Sequence, residues 1–355
     1  MQSTRILILS PHAGDDFLLA EAGSQGAELR EDECIGDVVE GIYQALSCRH
    51  GVQVARCAVE SARAIEQAVR FFRPTAVFNL CETFAGQSRL EATVPWLLER
   101  LGVSFTGSPD AALRLCLHKF DANQVLARHG VRVPRAMRIT HLRQLEQIRL
   151  PVIVKPDRED GSVGIDASAV ARTPAELKRA VQKIRDLFGQ PPVVEEYIEG
   201  RELTVSLLGY PEVQPLPLGE IAFDAVLGDR PKILTYAAKW DPESVEYIGT
   251  RSVPAALAPM ESRRYAALGR RAFEALGLRD YGRVDLRVDA QGQAYVIDVN
   301  PNCDLSPDGG FGRALGRAGF RYEEGIWEVL RGALSRNAST RSGSGEFQIT
   351  HRARR

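Results

Sequence analysis

The alternation of apolar and polar positions predicts strands and helices in turn over the first hundred residues. Thr4–Leu9 and Ala76–Asn79 are short apolar runs that end in turn-forming residues, and Val52–Val59 alternates as a strand does. Asp37–Arg49 and Ile65–Phe72 instead repeat their apolar residues at helical spacing. Because strands that alternate with helices favour a parallel sheet covered by helices, we expect an N-terminal α/β domain over residues 1–115.

The next segment has the pattern of a small β/α unit. Leu113–His129 is predicted to be one helix that ends before a glycine, and Leu150–Pro156 a buried strand stopped by proline. A polar, glycine-containing loop follows over Asp157–Gly164, and a helix is expected near Ala175–Phe188. A further strand is predicted at Glu202–Leu208.

These elements divide the rest of the chain into three parts. We expect a small central domain over residues 116–197 and a C-terminal domain with a mixed sheet over residues 198–335. From Arg336 onward the hydrophobic content is low and serine and glycine are frequent, so residues 336–355 are predicted to form a disordered tail.

Composition and charge exclude several classes of protein. The 355 residues allow two or three domains, and 44% apolar with 26% charged residues is ordinary for a soluble protein. Lys and Arg (45) nearly balance Asp and Glu (46), so no nucleic-acid or membrane partner is expected. The apolar run within Met1–Ser10 is too short for a signal peptide. Six cysteines without paired spacing indicate reduced thiols in a cytoplasmic protein.

The most informative local pattern is a predicted hairpin, with two strand-like runs flanking the turn Asp289–Gly292. Since side chains alternate between faces, the apolar face is predicted to carry Val284, Leu286, Val288, Tyr295, Ile297 and Val299. The opposite face carries Arg283, Asp285, Asp298 and Asn300. Folding at the turn places Asp285 level with Asp298, within one register step.

Two carboxylates and an amide oxygen beside an arginine suit a hard cation. Mg²⁺ binds such oxygen ligands together with substrate phosphates, and Arg283 could stabilise charge on a phosphoryl group or a tetrahedral intermediate. The alternative is a two-sided hairpin whose polar face contacts only solvent.

Other polar groups occur in a fixed order before this hairpin. Lys155 ends a strand before the loop Gly161–Gly164, which is a candidate phosphate cradle. Glu195–Ile198 is a candidate adenine-binding linker, Glu202 follows it, and Lys239 comes next. Each feature alone is equally compatible with a solvent-exposed turn or a charged surface.

In this order, these residues resemble the ATP-grasp superfamily, and within it the D-alanine–D-alanine ligases, from about Ala76 to about Leu330. The resemblance implies an ATP-grasp fold of three α/β domains: an N-terminal parallel-sheet domain, a small central lid and a C-terminal domain with a mixed sheet. It implies ATP and Mg²⁺ (or Mn²⁺) as cofactors, with two metal ions, small-molecule carboxylate and amine substrates, and a homodimer.

The resemblance also implies roles for individual residues. Lys119 and Lys155 would bind the nucleotide phosphates, and Glu195, Glu196, Tyr197, Ile198 and Glu202 the adenine and ribose. Arg283, Lys239 and Ser162 would be catalytic, and Asp285, Asp298 and Asn300 would be the metal ligands. The reaction implied is phosphorylation of a carboxylate followed by attack of an amine on the acyl-phosphate.

Three positions depart from the D-alanine–D-alanine ligase pattern. The N-terminal Glu-x-x-Ser motif is not visible within Ser10–Ser24, Gly161 stands in place of a serine, and Trp240 in place of a tyrosine. Since polar substrate anchors discriminate strongly, their loss favours a different amino acid, peptide or carboxylate. The alternatives are a D-alanine–D-alanine ligase with a divergent pocket, a small-molecule kinase, and a non-catalytic ATP-binding module.

Overall fold

The computed structural model describes residues 3–11 and 25–343. The first α/β unit has a three-stranded sheet in the order β2-β1-β3, with both pairings parallel as predicted. Its elements are β1 (Thr4–Pro11), α1 (Gln25–Ser47), β2 (Val52–Val59), α2 (Ala62–Phe72), β3 (Ala76–Asn79) and α3 (Thr93–Arg100). The segment Ser10–Ser24, where the pattern has its N-terminal substrate motif, lies almost entirely outside the described residues.

Two helices connect this unit to the next, α4 (Asp110–Leu117) and α5 (Lys119–Arg128). The predicted single helix over Leu113–His129 is therefore broken at His118, whose ψ of 88° is not helical. The break has a long-range cause, because the backbone N–H groups of Lys119 and Phe120 donate to the backbone and side chain of Asp157. As a result, Lys119 stands at the start of a helix.

The central domain has a four-stranded antiparallel sheet in the order β4-β7-β5-β6. Its elements are β4 (Ala136–Arg138), β5 (Val152–Pro156), β6 (Val170–Ala171), α6 (Pro174–Phe188) and β7 (Pro192–Glu196). Helix α6 begins with a capping box between Thr173 and Glu176, and it buries Leu177, Val181 and Ile184 against the sheet. The predicted lid thus has a hydrophobic core of its own.

The C-terminal sheet has six strands, of which five follow the order β11-β10-β8-β12-β13 while β9 pairs with β8. Its strands are β8 (Arg201–Gly209), β9 (Gln214–Pro215), β10 (Gly219–Phe223), β11 (Thr250–Pro254), β12 (Asp280–Val288) and β13 (Ala294–Asn300). Its helices are α7 (Tyr236–Trp240), α8 (Val245–Ile248), α9 (Pro259–Ala275), α10 (Gly310–Arg317) and α11 (Tyr322–Gly343). All described pairings in this sheet are antiparallel, so the expected mixed sheet was wrong.

The hydrophobic cores cross the expected domain boundaries. Helix α5, assigned to the central domain by sequence, buries Ala122 and Leu126 in the core of the C-terminal sheet. Helices α10 and α11 share a core with the N-terminal sheet, in which Phe78 and Ile8 lie with Phe311 and Val329. The N-terminal and C-terminal units are therefore joined by a common interior.

A buried ion pair reinforces this junction. Arg336 donates two hydrogen bonds to Asp280, at 2.6 and 2.7 Å, and Asp280 also accepts one from the backbone N–H of Gly107. Arg336 is the residue at which the disordered tail was predicted to begin. Instead, α11 continues to Gly343, because this arginine and Asn337, which donates to the carbonyl of Thr75, bind the helix to the fold. Residues 344–355 lie outside the described part.

One glycine shapes the passage from the central domain to the C-terminal sheet. Gly200 has φ of 144°, and a Cβ at this position would lie 1.9 Å from the carbonyl oxygen of Val288. Only glycine allows the chain to cross β12 this closely.

Among the described helices, none is long and apolar enough to cross a membrane.

Candidate active site

The hairpin of β12 and β13 forms the centre of the candidate site. Asp285 pairs with Asp298 and Arg283 with Asn300, so the four polar residues lie on one face, at the register predicted. The turn is fixed by Asp289, whose carboxylate accepts hydrogen bonds from the backbone N–H groups of Gln291 and Gln293. The structure thus brings together the arginine and all three predicted metal ligands.

A β-bulge modifies the second strand of this hairpin. The register shifts after Asp285, so that Leu286 pairs with Val296. Val296 and Ala294 are therefore buried in the core, whereas the predicted Tyr295 and Ile297 are only partly buried. The predicted apolar face was wrong at those two positions, because one inserted residue reverses the alternation.

Arg283 forms a two-pronged ion pair with Asp285. Its Nε lies 2.8 Å from Oδ1 and its Nη2 3.0 Å from Oδ2, and the neighbouring carboxylate raises the pKa of Arg283. Its third nitrogen, Nη1, faces Gly310 at the start of α10, where a Cβ would lie 3.8 Å away. Asp285 binds Nε and Nη2 and so fixes the orientation of the guanidinium. Nη1 could therefore donate a hydrogen bond to a negatively charged oxygen.

Asp298 lies among cations that keep it ionised. Burial would raise the pKa of Asp298, but Lys119, Lys155 and Arg283 hold it below the ordinary value. The Nζ of Lys119 is 3.7 Å from the Asp298 carboxylate. An ionised carboxylate with Asp285 and the Asn300 amide forms a hard-oxygen donor set that suits Mg²⁺, with phosphate oxygens and water as the other ligands. In the described residues, no group of three His, Cys, Asp or Glu that could hold a metal ion is found.

The two predicted phosphate lysines approach this face from the linking helix and the central sheet. Lys119 pairs with Asp160 at 3.1 Å; although burial would lower the pKa of Lys119, Asp160 and Asp298 raise it. Lys155, in β5, pairs with buried Glu195 at 2.7 Å and lies 3.4 Å from the carbonyl oxygen of Ile297. Both ammonium groups therefore converge on β13.

The predicted adenine and ribose residues lie at the end of β7, in the segment that follows it, and at the start of β8. Glu195 and Ile198 are buried, whereas the side chain of Glu196 turns outward to pair with Arg135. Tyr197 accepts a hydrogen bond from Arg287 at 3.1 Å. Glu195 and Glu196 thus point in different directions, as alternation along β7 requires.

Arg287 contacts two of these residues, Tyr197 and Glu202, and was not predicted from the sequence. It is almost fully buried and lies 3.5 Å from Glu202, whose pKa is raised by burial and lowered in turn by Arg287. It also donates to the carbonyl oxygen of Lys232 at 2.7 Å. Its spacing of two residues from Asp285 and four from Arg283 places it on the same strand face, a pattern that was available in the sequence.

The glycine-containing loop and the Lys239 segment are joined to each other. The hydroxyl of Ser162 donates to the carbonyl of Leu234 at 2.9 Å, and the indole of Trp240 donates to the carbonyl of Gly161 at 3.1 Å. Lys239 lies in α7 directly before Trp240, and burial together with the charge of Arg283 lowers the pKa of Lys239. These two hydrogen bonds join the glycine-containing loop and the Lys239 segment into one unit, which we call the cover. Within it, the Ser162 hydroxyl is bonded to the backbone.

The fold and the similarity to known proteins identify an ATP-dependent, ADP-forming carbon–nitrogen ligase with the ATP-grasp fold. The family model described as D-ala D-ala ligase C-terminus matches residues 124–331, and the chain belongs to that family. Over 259 residues, 72% of this chain and 73% of the relative, it is 34% identical to an uncharacterized protein, y4sG, of Sinorhizobium fredii.

Two further relatives carry the name D-alanine–D-alanine ligase. The protein from Marinobacter nauticus is 30% identical over 70% of this chain and 73% of its own length. The protein from Carboxydothermus hydrogenoformans is 28% identical over 68% of this chain and 76% of its own length.

Solved structures share the fold along nearly the whole chain. D-alanine–D-alanine ligase of Bacillus anthracis, complexed with ATP, superposes with a TM-score of 0.70 at 17% identity, covering 97% of this chain and 100% of that one. VanG D-Ala:D-Ser ligase of Enterococcus faecalis gives a TM-score of 0.71 at 16% identity over 94% and 100% of the two chains. At this identity the likeness supports the three-domain ATP-grasp architecture.

Proposed function

We propose that the protein joins two amino acids through a peptide bond, with D-alanine as both substrates. The observation that carries the chemistry is the shared face of Arg283, Asp285, Asp298 and Asn300, toward which Lys119 and Lys155 point. The choice of D-alanine is supported by relatives that carry the name D-alanine–D-alanine ligase. The proposal of D-alanine replaces the expectation from sequence that the three altered anchor positions indicate a different pair of substrates.

In the proposed first step, the carboxylate of one amino acid attacks the γ-phosphorus of ATP. A carboxylate O–P bond forms as the bond between that phosphorus and the bridging β,γ-oxygen breaks, and ADP leaves with that oxygen. Lys119 and Lys155 would bind the phosphates, and Lys239 would neutralise charge on the transferred group. The product is an acyl-phosphate.

In the proposed second step, the unprotonated amine of the other amino acid attacks the acyl carbon. The carbonyl oxygen becomes an oxyanion, which Nη1 of Arg283 would stabilise because Asp285 already binds the other two nitrogens. Inorganic phosphate then leaves with the C–O bonding electrons, and the amine nitrogen releases its proton to water. The cover that carries Ser162 and Trp240 would exclude water from the acyl-phosphate.

The proposed metal site uses Asp285, Asp298 and Asn300. Two carboxylates and an amide oxygen fit Mg²⁺, or Mn²⁺ in its place, and these residues would hold the two ions that the reaction is proposed to use. Bound metal would neutralise phosphate charge during transfer. Asp285, Asp298 and Asn300 place their side-chain oxygens on one face of the hairpin, beside Lys119 and Lys155.

The test measures ADP release with ATP and D-alanine and identifies the product by mass spectrometry. The proposal expects the dipeptide in a one-to-one ratio with ADP. L-Alanine and D-serine serve as matched alternative substrates, and hydroxylamine traps an acyl-phosphate as a hydroxamate. No ADP release and no hydroxamate with D-alanine would refute the proposed substrate. A stable phosphorylated alcohol formed without any amine would instead identify a kinase.

A further inference from the structure

Glu91 is an acidic residue of the N-terminal domain that lies next to the catalytic hairpin. Its Oε1 accepts a hydrogen bond from the side-chain nitrogen of Asn302 at 2.8 Å. The backbone N–H of Asn302 in turn donates to the side-chain oxygen of Asn300 at 3.0 Å. A single residue therefore separates Glu91 from a proposed metal ligand, although the two are more than two hundred positions apart in sequence.

The position of this carboxyl group is fixed by the bonds of Asn302. The same side-chain nitrogen also donates to the carbonyl oxygen of Cys81 at 3.1 Å, and the side-chain oxygen accepts from the hydroxyl of Tyr281 at 2.7 Å. Tyr281 is fully buried in the core shared by the N-terminal and C-terminal units. These bonds fix the orientation of the Asn302 side chain. Asn302 therefore holds one oxygen of Glu91 at the edge of the site.

Among the described residues, no lysine or arginine lies beside Glu91, whereas two carboxylates of the site each have one. Asp285 pairs with Arg283, and Asp160 with Lys119. In the part of the chain that the structure describes, Asn302 is the hydrogen-bond partner of Glu91, and no lysine or arginine pairs with it. Burial raises the pKa of Glu91 well above its ordinary value, and the nearby acids Asp160 and Glu82 raise it further. A cation at this position would relieve both effects.

We propose that Glu91 binds the ammonium group of the amino acid whose carboxylate is phosphorylated. That carboxylate has to lie between the γ-phosphate and Arg283, and in an amino acid the ammonium is only one carbon away from it. Among the described residues, Glu91 is a partly buried carboxyl group at this edge that has a fixed position and no cation. The inference rests on the proposed function insofar as the activated substrate is an amino acid.

The binding of an ammonium by Glu91 has a consequence for selectivity. A substrate that lacks the amine would leave this carboxyl group without a partner in a partly buried place, which is unfavourable. The enzyme should therefore discriminate against carboxylic acids of the same size that lack an amine. Discrimination by charge, rather than by shape, is the property that separates this role from a purely structural one.

The experiment compares D-alanine and propionate as the carboxylate substrate, with hydroxylamine as the amine in both cases. Hydroxylamine isolates the activation step, because no second amino acid takes part. We expect Glu91→Gln to lower kcat/KM for D-alanine by about 10–100-fold, the usual effect of losing a hydrogen bond to a charged group. Its kcat/KM for propionate and its KM for ATP should be unchanged, because glutamine can still accept the hydrogen bond from Asn302.

Two further variants separate charge from structure. Glu91→Asp keeps the charge on a shorter side chain, so it should retain the preference for D-alanine at a reduced rate. Glu99→Gln removes an exposed carboxylate from the same helical region and should leave both substrates unaffected. An equal loss of activity with D-alanine and propionate in Glu91→Gln would show that Glu91 only positions Asn302, and would overturn the inference.

Failure of the proposed function gives a different result. If the unmodified protein forms a hydroxamate from another amino acid but not from D-alanine, the proposed substrate is refuted. Repeating the comparison with that amino acid and its counterpart without the amine then decides the role of Glu91. If only carboxylates without an amine are activated, the inference on Glu91 is refuted as well.

Discussion

The indole nitrogen of Trp240 donates a hydrogen bond to the carbonyl oxygen of Gly161 across 3.1 Å. These residues occupy the two positions at which the D-alanine–D-alanine ligase pattern has a tyrosine and a serine. The two replacements therefore contact each other. They join the glycine-containing loop to the Lys239 segment through the backbone of Gly161.

Trp240→Phe tests whether this contact closes the cover. Phenylalanine keeps an aromatic ring but cannot donate, so about 0.5–1.5 kcal/mol of hydrogen bonding between the two segments is lost. We expect more hydrolysis of the acyl-phosphate, measured as a rise in the ratio of ADP to dipeptide. Trp96→Phe, at an exposed position in α3, is the matched control. An unchanged ratio in Trp240→Phe would mean that the contact does not limit water entry.

Arg283→Lys tests the proposed oxyanion group. Lysine keeps the charge but lacks the fork that binds Asp285 at 2.8 and 3.0 Å while presenting a third nitrogen. We expect kcat to fall by about 10²–10³-fold, as for loss of an oxyanion donor. The KM for ATP should change much less, and steady-state kinetics separate the two. A variant with near-normal kcat would exclude Arg283 from this role.

Asp298→Asn tests the proposed metal ligand. The amide keeps an oxygen but removes the negative charge, so the Mg²⁺ concentration for half-maximal activity should rise by about 10–100-fold. A Mg²⁺ titration at saturating ATP measures this shift. Asp308→Asn, at an exposed position in the following loop, should leave the titration curve unchanged. An unshifted curve for Asp298→Asn would contradict the metal assignment.

The lowered pKa of Lys239 predicts a pH dependence. Burial and the charge of Arg283 disfavour its ammonium form, so as pH rises Lys239 loses its charge earlier than an ordinary lysine does. The kcat/KM for ATP should fall on the alkaline side at a correspondingly lower pH. Lys239→Arg remains charged, so its pH profile should extend further into the alkaline range. If the two proteins lose kcat/KM at the same alkaline pH, a group other than Lys239 controls that loss.

Arg336→Met tests the ion pair at the junction of the N-terminal and C-terminal units. The substitution leaves Asp280, which is 2% exposed, as a buried charge without its cation. The free energy of unfolding should fall by about 3–5 kcal/mol, measured by urea denaturation. Arg331→Met, which removes a surface pair with Glu328 on the same helix, should change it by no more than about 1 kcal/mol.

The hairpin was predictable from sequence because its information is local. Strand alternation and a turn signal set which residues of β12 and β13 face each other, and the pairing of Asp285 with Asp298 was confirmed. The bulge was not predictable, since nothing in the local pattern distinguishes an inserted Ile297 from a regular strand residue.

The features that sequence reasoning missed depend on contacts between distant segments. The break at His118 arises from hydrogen bonds to Asp157, and the contact between Glu91 and Asn302 arises from the packing of two units. Hydrophobic periodicity reports which face of an element is buried, but not which remote polar group it meets. The roles that the resemblance implies for the site residues stay predictions, as does the homodimer.

The shared core and the Arg336–Asp280 pair have a consequence for how the phosphate site is completed. Since the N-terminal and C-terminal units cannot separate without exposing that interior, they should move as one rigid body. The central domain has its own core and returns to the C-terminal sheet through Gly200. Any displacement of the central domain from that body would carry Lys155 away from β13, so the phosphate site is complete only while the central domain lies against the C-terminal sheet.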